Sequence, residues 1–155
     1  MIAGLDPGTH KTGWCLMTRQ GRVLESGHNP NEWVLDWISV APMHHLAIEK
    51  VVCQGRKTVG ESTFTTCRWI GKFELAWEQR SSHKAALYSR AEAVGVLGAS
   101  GDEDVAFRLR RTLGDHCKED VCKNRCRIKG CHLWQTNDHT RAAIAVANRF
   151  RQEII

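Results

Sequence analysis

The chain lacks the long hydrophobic runs, internal repeats and low-complexity linkers that mark membrane-spanning, repetitive or multidomain proteins. No apolar stretch in its 155 residues approaches the roughly 18 residues that a membrane-spanning helix needs. The opening residues, MIAGLDPG, show no basic segment followed by an apolar core, so a secretory signal is not expected. We therefore expect one domain over residues 1–155, located in the cytoplasm and with no membrane partner.

Charge and cysteine content narrow the class of protein. Lysine and arginine number 22 against 17 acidic residues, which gives a net charge of +5 with the histidines neutral. This excess suits a polyanionic partner such as nucleic acid, although many ordinary enzymes are equally basic. The seven cysteines are an odd number. Without a predicted export signal, we expect them to be reduced thiols or metal ligands.

Hydrophobic periodicity predicts a mixed α/β sheet with helices on its faces. Asn31 is the candidate N-cap of the first helix. Aromatic residues recur at roughly helical spacing in the second helix, at Phe64, Trp69, Phe73 and Trp77. The predicted strands cover residues 2–5, 14–18, 22–27, 45–52 and 86–90, and the predicted helices cover residues 31–38, 61–78, 90–97, 103–113 and 138–152.

Two carboxylates interrupt apolar strands, Asp6 at the end of IAGLD and Glu49 within HLAIEKVV. A buried carboxylate needs a positive partner, and two of them on neighbouring strands would suit magnesium, which prefers oxygen ligands. In two-metal nucleases such ions activate water and stabilise the leaving oxygen. The alternatives are ordinary ones: Asp6 as a turn residue in Asp-Pro-Gly, and Glu49 as a strand residue that faces water.

Three segments in order along the chain, IAGLDPGTHKTGW, LAIEKV and HTRAAIAVA, resemble the RuvC-type Holliday junction resolvases, especially their shorter phage-like members. The segments ESTFTTCRWIGKF and AEAVGVLGASGDEDVAFRLRRTL are similar to further helices of that family. Each motif alone is weak, but three in the right order at the right distances are fairly specific.

The resemblance implies an RNase H-like mixed five-stranded sheet flanked by helices. It also implies a homodimer in a bacterial or phage-infected cell that binds branched DNA and nicks paired strands at a four-way junction. Two Mg²⁺ (or Mn²⁺) ions per active site would be the cofactors. By the same resemblance, Asp6, Glu49 and His139 are the catalytic and metal-binding residues. We expect the dimer interface on the aromatic helix over residues 61–78.

One position departs from the family pattern. The last helix of these resolvases opens with two acidic or histidine ligands three residues apart, and the matching residues here are His139 and Ala142. Alanine cannot bind a metal, so either Asp138 takes over as a ligand or the site is impaired. We interpret Ala142 as an aspartate-to-alanine change that traps a substrate complex, and Asp138 as a residue favoured by the helix dipole.

A Cys-rich insertion over residues 114–137 precedes the last helix, where the resolvases have a much shorter connection. Its thiols at Cys117, Cys122, Cys126 and Cys131 are sufficient for a tetrahedral structural Zn²⁺ site. Their spacing is not the usual two-residue knuckle, so a loop of free thiols is an equal alternative.

Basic residues close to these motifs are candidate DNA contacts, because phosphate contacts position a duplex without reading its sequence. For each of them, a plain surface charge is the common alternative. The candidates are Lys11, Arg56, Lys57, Thr58, Arg68, Lys72, Lys118, Lys123 and Arg125.

Three other functions compete with a junction resolvase. Ala142 supports a catalytically silent module that binds branched DNA. An RNase H-like nuclease that acts on RNA shares the first motif but accounts less well for AIEKV. An ATP-binding protein of the actin and sugar-kinase type also opens with Asp-x-Gly after a strand, but 155 residues are too few for its two lobes.

Overall fold

The computed structural model describes residues 1–52, 59–95 and 137–155. Five strands and four helices lie in these ranges. The strands are β1 (Ile2–Pro7), β2 (Lys11–Met17), β3 (Val23–Pro30), β4 (His45–Lys50) and β5 (Ala86–Ser89). The helices are α1 (Asn31–Val40), α2 (Glu61–Arg80), α3 (Arg90–Gly95) and α4 (Asp138–Glu153).

The strands form one mixed sheet in the spatial order β3-β2-β1-β4-β5. β1, β2 and β3 make an antiparallel meander, β4 runs parallel to β1, and β5 runs parallel to β4. The predicted five-stranded sheet flanked by helices is therefore confirmed. The predicted helix over 103–113 and the four cysteines of the insertion lie outside the described residues. None of the helices in the described ranges is long and apolar enough to cross a membrane.

The two faces of the sheet bury two separate cores. On one face, α3 and α4 pack over a core that includes Ile2, Cys15 and Tyr88. On the other face, α1 and α2 pack over a core that includes Leu5 and Phe73. This division follows from the alternation of side chains along each strand, and it determines which helix each polar residue of a strand can meet.

Asn31 does not cap the first helix as predicted. It is the first residue of α1, Pro30 occupies the N-cap position, and no side chain caps the helix. Instead, Asn31 is fully buried: its Nδ2 donates to the Gly8 carbonyl at 3.0 Å, and its Oδ1 accepts from Thr12 Oγ1 at 2.7 Å. The side chain thus fixes the turn between β1 and β2, immediately after Asp6.

Two of the four aromatic residues on the predicted interface helix cannot contribute to an interface. Phe73 and Trp77 are fully buried within the single chain, in the core beneath α2, so they have no surface to offer a second copy. The apolar side chains that α2 leaves at the surface are Phe64 and Leu75, which are 53% and 56% exposed. The aromatic residues recur at helical spacing because Phe73 and Trp77 pack into the core of the chain itself.

Burial separates the two cysteines in the described ranges by reactivity. Cys15 is fully buried under α4, where its Sγ lies 3.5 Å from the Ala143 carbonyl, and burial raises the pKa of the Cys15 thiol to about 12. Cys67 is exposed on α2. Alkylating agents attack the thiolate and need access to it.

We expect iodoacetamide to modify Cys67 and leave Cys15 unmodified in the native protein at neutral pH. Peptide mass spectrometry after brief labelling measures both sites in one sample, so Cys67 is the internal control. Labelling in denaturant should reach both thiols. Equal labelling of the two cysteines in the native protein would contradict the position of Cys15 beneath α4.

Candidate active site

Asp6 and Glu49 lie side by side on neighbouring parallel strands. Leu5 of β1 pairs with Ile48 of β4, so the next residue of each strand continues the same register. Paired residues project toward the same face of a sheet, and Glu49 pairs with Tyr88, which belongs to the core under α4. Both carboxylates therefore project toward the face that α4 covers, near the carboxyl ends of both strands.

Asp6 is held by a histidine from α4. This aspartate is only 7% exposed, and its Oδ2 lies 2.7 Å from His139 Nδ1. Since an ionised carboxylate only accepts hydrogen bonds, Nδ1 is the protonated nitrogen of this ring, and Nε2 of the neutral tautomer is an acceptor. The predicted residues Asp6 and His139, which are 133 positions apart, thus form one hydrogen-bonded pair.

β3 holds the beginning of α4 through two contacts. Thr140 Oγ1 donates to the Gly27 carbonyl at 3.1 Å, and the His28 ring stacks on the His139 ring with centroids 4.9 Å apart and planes 10° apart. Asn137 caps the helix by accepting from the Thr140 amide at 2.8 Å. These contacts fix the direction in which the half-exposed His139 ring points.

The surroundings of His28 favour its neutral form. Burial lowers the pKa of the His28 imidazole, and the adjacent His139 and then Lys11 lower it further. A neutral His28 ring can stack on His139 without charge repulsion. No local sequence pattern singles out His28, because only the pairing of Gly13 with His28 across β2 and β3 brings it over the site.

Two glycines let α4 approach the sheet closely. A Cβ on Gly13 would lie 2.3 Å from the His139 carbonyl oxygen, and a Cβ on Gly4 would lie 2.1 Å from that of Ala143. Real Cβ atoms do not come so close to backbone atoms, so any side chain at either position would displace the helix. Gly13 also pairs with Asp6, so one of the two close approaches lies where His139 meets the carboxylate.

Glu49 lines an open cleft together with Asp6. The cleft has a volume of about 340 Å³ and is also lined by Lys50, Ser89 and Arg90. Arg90 Nη1 lies 3.5 Å from Glu49 Oε1, and the Glu49 side chain is 13% exposed. A carboxylate this buried needs positive charge close by, and Arg90, at the start of α3, supplies it.

Ala142 faces Glu49 across a small hollow beneath α4. The hollow has a volume of about 10 Å³, room for about one water molecule, and its lining includes Glu49, Arg90, Asp138, Arg141 and Ala142. Asp138 is exposed and forms an ion pair with Arg141. A carboxylate at position 142 would therefore be directed toward Glu49, whereas Asp138 is engaged with an arginine.

The donor set fits a hard cation only in part. Within the described residues, no three His, Cys, Asp or Glu side chains form a group that could hold a metal ion by themselves. Two adjacent carboxylates suffice for Mg²⁺ where water and substrate phosphates complete the shell, which is its usual mode of binding. That Asp6, Glu49 and His139 share one coordination sphere stays a prediction.

The candidate DNA contacts are distributed over two faces. Lys11 is exposed at the start of β2, near enough to His28 to lower the pKa of that ring. Arg68 and Lys72 are exposed on α2, which covers the opposite face of the sheet from α4, and Lys72 Nζ lies 4.1 Å from the centre of the Trp69 ring. The remaining candidates lie outside the described residues: Arg56, Lys57, Thr58, Lys118, Lys123 and Arg125.

The close approach at Gly13 can be tested against a glycine with open space around it. Gly13→Ala should destabilise the protein by about 1–3 kcal/mol, as overpacked sites do. Gly71→Ala, in α2 with nothing within 4 Å of the new Cβ, should stabilise it by about 0.5–1 kcal/mol. Urea unfolding measures both values, and equal stabilities would rule out the tight contact with His139.

Comparisons with known proteins identify the fold. No family model matches the chain, and no curated protein matches its sequence. Two solved structures of Thermus thermophilus RuvC are similar over 99% of this chain and 95% of theirs, each at 18% sequence identity. The TM-score is 0.70 for RuvC in complex with a Holliday junction substrate and 0.66 for the other RuvC structure. The chain has the RNase H-like fold of the RuvC resolvases.

Proposed function

We propose that this chain is a metal-dependent, structure-specific DNA endonuclease that resolves four-way junctions by paired nicks. The observation that supports it best is the pair of carboxylates, buried Asp6 and partly buried Glu49, at the carboxyl ends of two parallel strands beside an open cleft. His139 on Asp6 adds a titratable group at the same place. One of the similar RuvC structures is a complex with a Holliday junction substrate, which favours branched DNA over RNA as the substrate of this chain.

Asp6 and Glu49 would hold Mg²⁺ or Mn²⁺ together with the substrate phosphate. Divalent ions in such a site activate water and stabilise the leaving oxygen. The chain itself supplies the orientation of the two carboxylates, and His139, whose Nδ1 faces Asp6, would present Nε2 as a base that can take a proton from water. Lys11, exposed at the start of β2, would contact a phosphate of the strand that enters the cleft.

A catalytically silent junction-binding protein is the second candidate, and the hollow beside Ala142 favours it. Asp6 and Glu49 would remain as ligands for one cation, but Ala142 cannot act as a ligand for a second cation. Arg90 and Arg141 line the hollow beside Ala142. The basic surface is unaffected by the alanine, and phosphate contacts dominate DNA affinity.

One substitution, Ala142→Asp, distinguishes the two candidate functions. We expect the chain to bind a synthetic four-way junction tightly, with steep salt dependence, and to cut it slowly or not at all in Mg²⁺. Ala142→Asp should raise the cleavage rate by about 10²–10³-fold or more, the usual effect of one catalytic electrostatic group. Ala142→Asn, of equal size but without the charge, is the matched control. Gel assays of binding and of nicking measure both properties.

Asp6→Asn in the Ala142→Asp background should abolish cleavage while binding persists. Rapid cutting by the unaltered chain would mean that Asp138 is the missing ligand, and Asp138→Ala would then remove the activity. Failure of all variants to bind junctions would contradict both candidate functions. Thermal melts of each variant show whether the new carboxylate is tolerated in the hollow.

A homodimer and a structural zinc belong to the same proposal. A twofold dimer presents two equivalent sites to the two symmetry-related strands of a junction. A Zn²⁺ ion on Cys117, Cys122, Cys126 and Cys131 would hold together a segment with few apolar residues. A cytoplasmic location is consistent with reduced thiols.

The dimer can be tested on the exposed face of α2. Phe64 and Leu75 are eleven residues apart, about three helical turns, so they lie on the same face. We expect a dimer at micromolar concentration by light scattering, and we expect Leu75→Glu to shift it toward the monomer. Val40→Glu is the control, because Val40 is equally apolar and 78% exposed on α1. A monomeric mass for the unaltered chain would contradict the dimer.

A further inference from the structure

Four basic side chains gather at the end of the sheet opposite Asp6 and Glu49. Arg19 follows β2, His44 and His45 stand at the start of β4, and His83 precedes β5. We call these four residues the basal cluster. His45 pairs with Ile2, the first residue of β1, and it precedes Glu49 by four strand residues, about 13 Å.

The side chains of the basal cluster converge on His45. Arg19 Nη2 lies 3.4 Å from His45 Nε2, and the ring centroids of His45 and His83 are 6.4 Å apart. Phe150 of α4 packs on the remaining side of His45, at 5.2 Å between centroids. The neighbouring His44 places its Nδ1 2.7 Å from the amino nitrogen of Met1.

All the charged groups that act on His45 are basic. Burial lowers the pKa of His45, and Arg19, the Met1 amino group, His83 and His44 lower it further, in that order. In the described part of the chain, no ion pair joins these groups to a carboxylate. By contrast, other cations have acidic partners: Lys50 pairs with Glu92 at 3.5 Å, and Arg149 pairs with Glu153 at 2.6 Å.

Within the described ranges, the basal cluster has no carboxylate partner. Arg19 donates to Nε2 of His45. This contact requires Nε2 to be unprotonated, so the two adjacent side chains do not both carry a positive charge. An anion beside them would accept from Arg19 directly. It would also favour protonation of His45, which then becomes a second donor. Arginine and protonated histidine are typical partners of phosphate oxygens.

We propose that the basal cluster is a binding site for a phosphate group, either free or in the backbone of a nucleic acid. Arg19 and His45 supply the direct contacts, and the His44 and His83 rings lie beside them. The site lies at the opposite sheet end from Asp6 and Glu49, so it does not depend on the proposed nuclease. Phosphate binding at this site and cleavage of a junction are therefore measured separately, and one proposal can fail while the other holds.

The titration midpoint of the His45 ring shows whether an anion occupies the basal cluster. The C2 proton resonance of His45 is followed by NMR across pH 5–8 in sodium chloride, sodium sulfate or sodium phosphate at equal ionic strength, because sulfate keeps a fixed charge over that range. We expect the titration midpoint to be higher in sulfate and phosphate than in chloride, since a bound anion stabilises the protonated ring. Identical midpoints in all three salts, together with no response to duplex DNA, would overturn the proposal.

Two arginines in one turn provide a matched pair of variants. Arg19→Gln should weaken phosphate binding about tenfold, the usual effect of losing one charge-assisted hydrogen bond, and should bring the His45 midpoints in the three salts together. Arg22→Gln removes the same charge from the same turn, and Arg22 is not among the groups that act on His45. An equal effect of both variants would indicate a general surface field and overturn the site.

A short duplex DNA without a junction distinguishes the two sources of phosphate. If free phosphate and duplex both raise the His45 midpoint, the site contacts nucleic acid backbone; if only free phosphate does, it takes a small anion. A response to duplex alone assigns the site to the backbone, with Arg19→Gln again removing the response. No response to any phosphate source refutes the site, provided that backbone amide spectra show an intact fold.

Discussion

The close contact between α4 and the sheet determines the rest of the site. It depends on Gly4 and Gly13, which have no side chain where the Ala143 and His139 carbonyls approach, and on small alanine residues along the buried face of α4. Because the helix comes so near, the His139 ring reaches Asp6, and the Ala142 position reaches the hollow beside Glu49. If a side chain at Gly4 or Gly13 pushed the helix away from the sheet, His139 would no longer reach Asp6 and the Ala142 position would no longer reach the hollow beside Glu49.

Burying two carboxylates next to each other is unfavourable unless positive charge or protons are shared with them. The chain meets this requirement locally: Asp6 has His139, and Glu49 has Arg90. A divalent cation would compete with these same partners for the same oxygens. Arg90 is 44% exposed at its side chain, so it can move into solvent when a cation arrives. The partners therefore stabilise the metal-free fold, and this does not prevent metal binding.

Local sequence patterns were sufficient to predict the sheet and its two carboxylates but not the contacts around them. Apolar runs predicted the strands, and the two interrupting carboxylates singled out Asp6 and Glu49, whereas the resemblance to the resolvases implied that they lie on neighbouring strands. The buried network of Asn31 and the stack of His28 on His139 depend on strand register and on the turn after β1, which no local pattern encodes. The same limit explains the error on α2, because periodicity shows which face of a helix is apolar and not what covers it.

Ala142 shows how packing and chemistry constrain one position differently. As a packing residue alanine suits a helix that lies this close to the sheet, because its neighbours Ala143 and Ala145 are equally buried. In the proposed metal site, alanine gives no ligand, and Glu49, Arg90 and Arg141 line a hollow with room for about one water molecule. An aspartate there would gain these two guanidinium groups as partners before any metal bound. Its carboxylate would then be shared between arginine and cation, so the affinity for a second ion would depend on how readily Arg141 returns to Asp138.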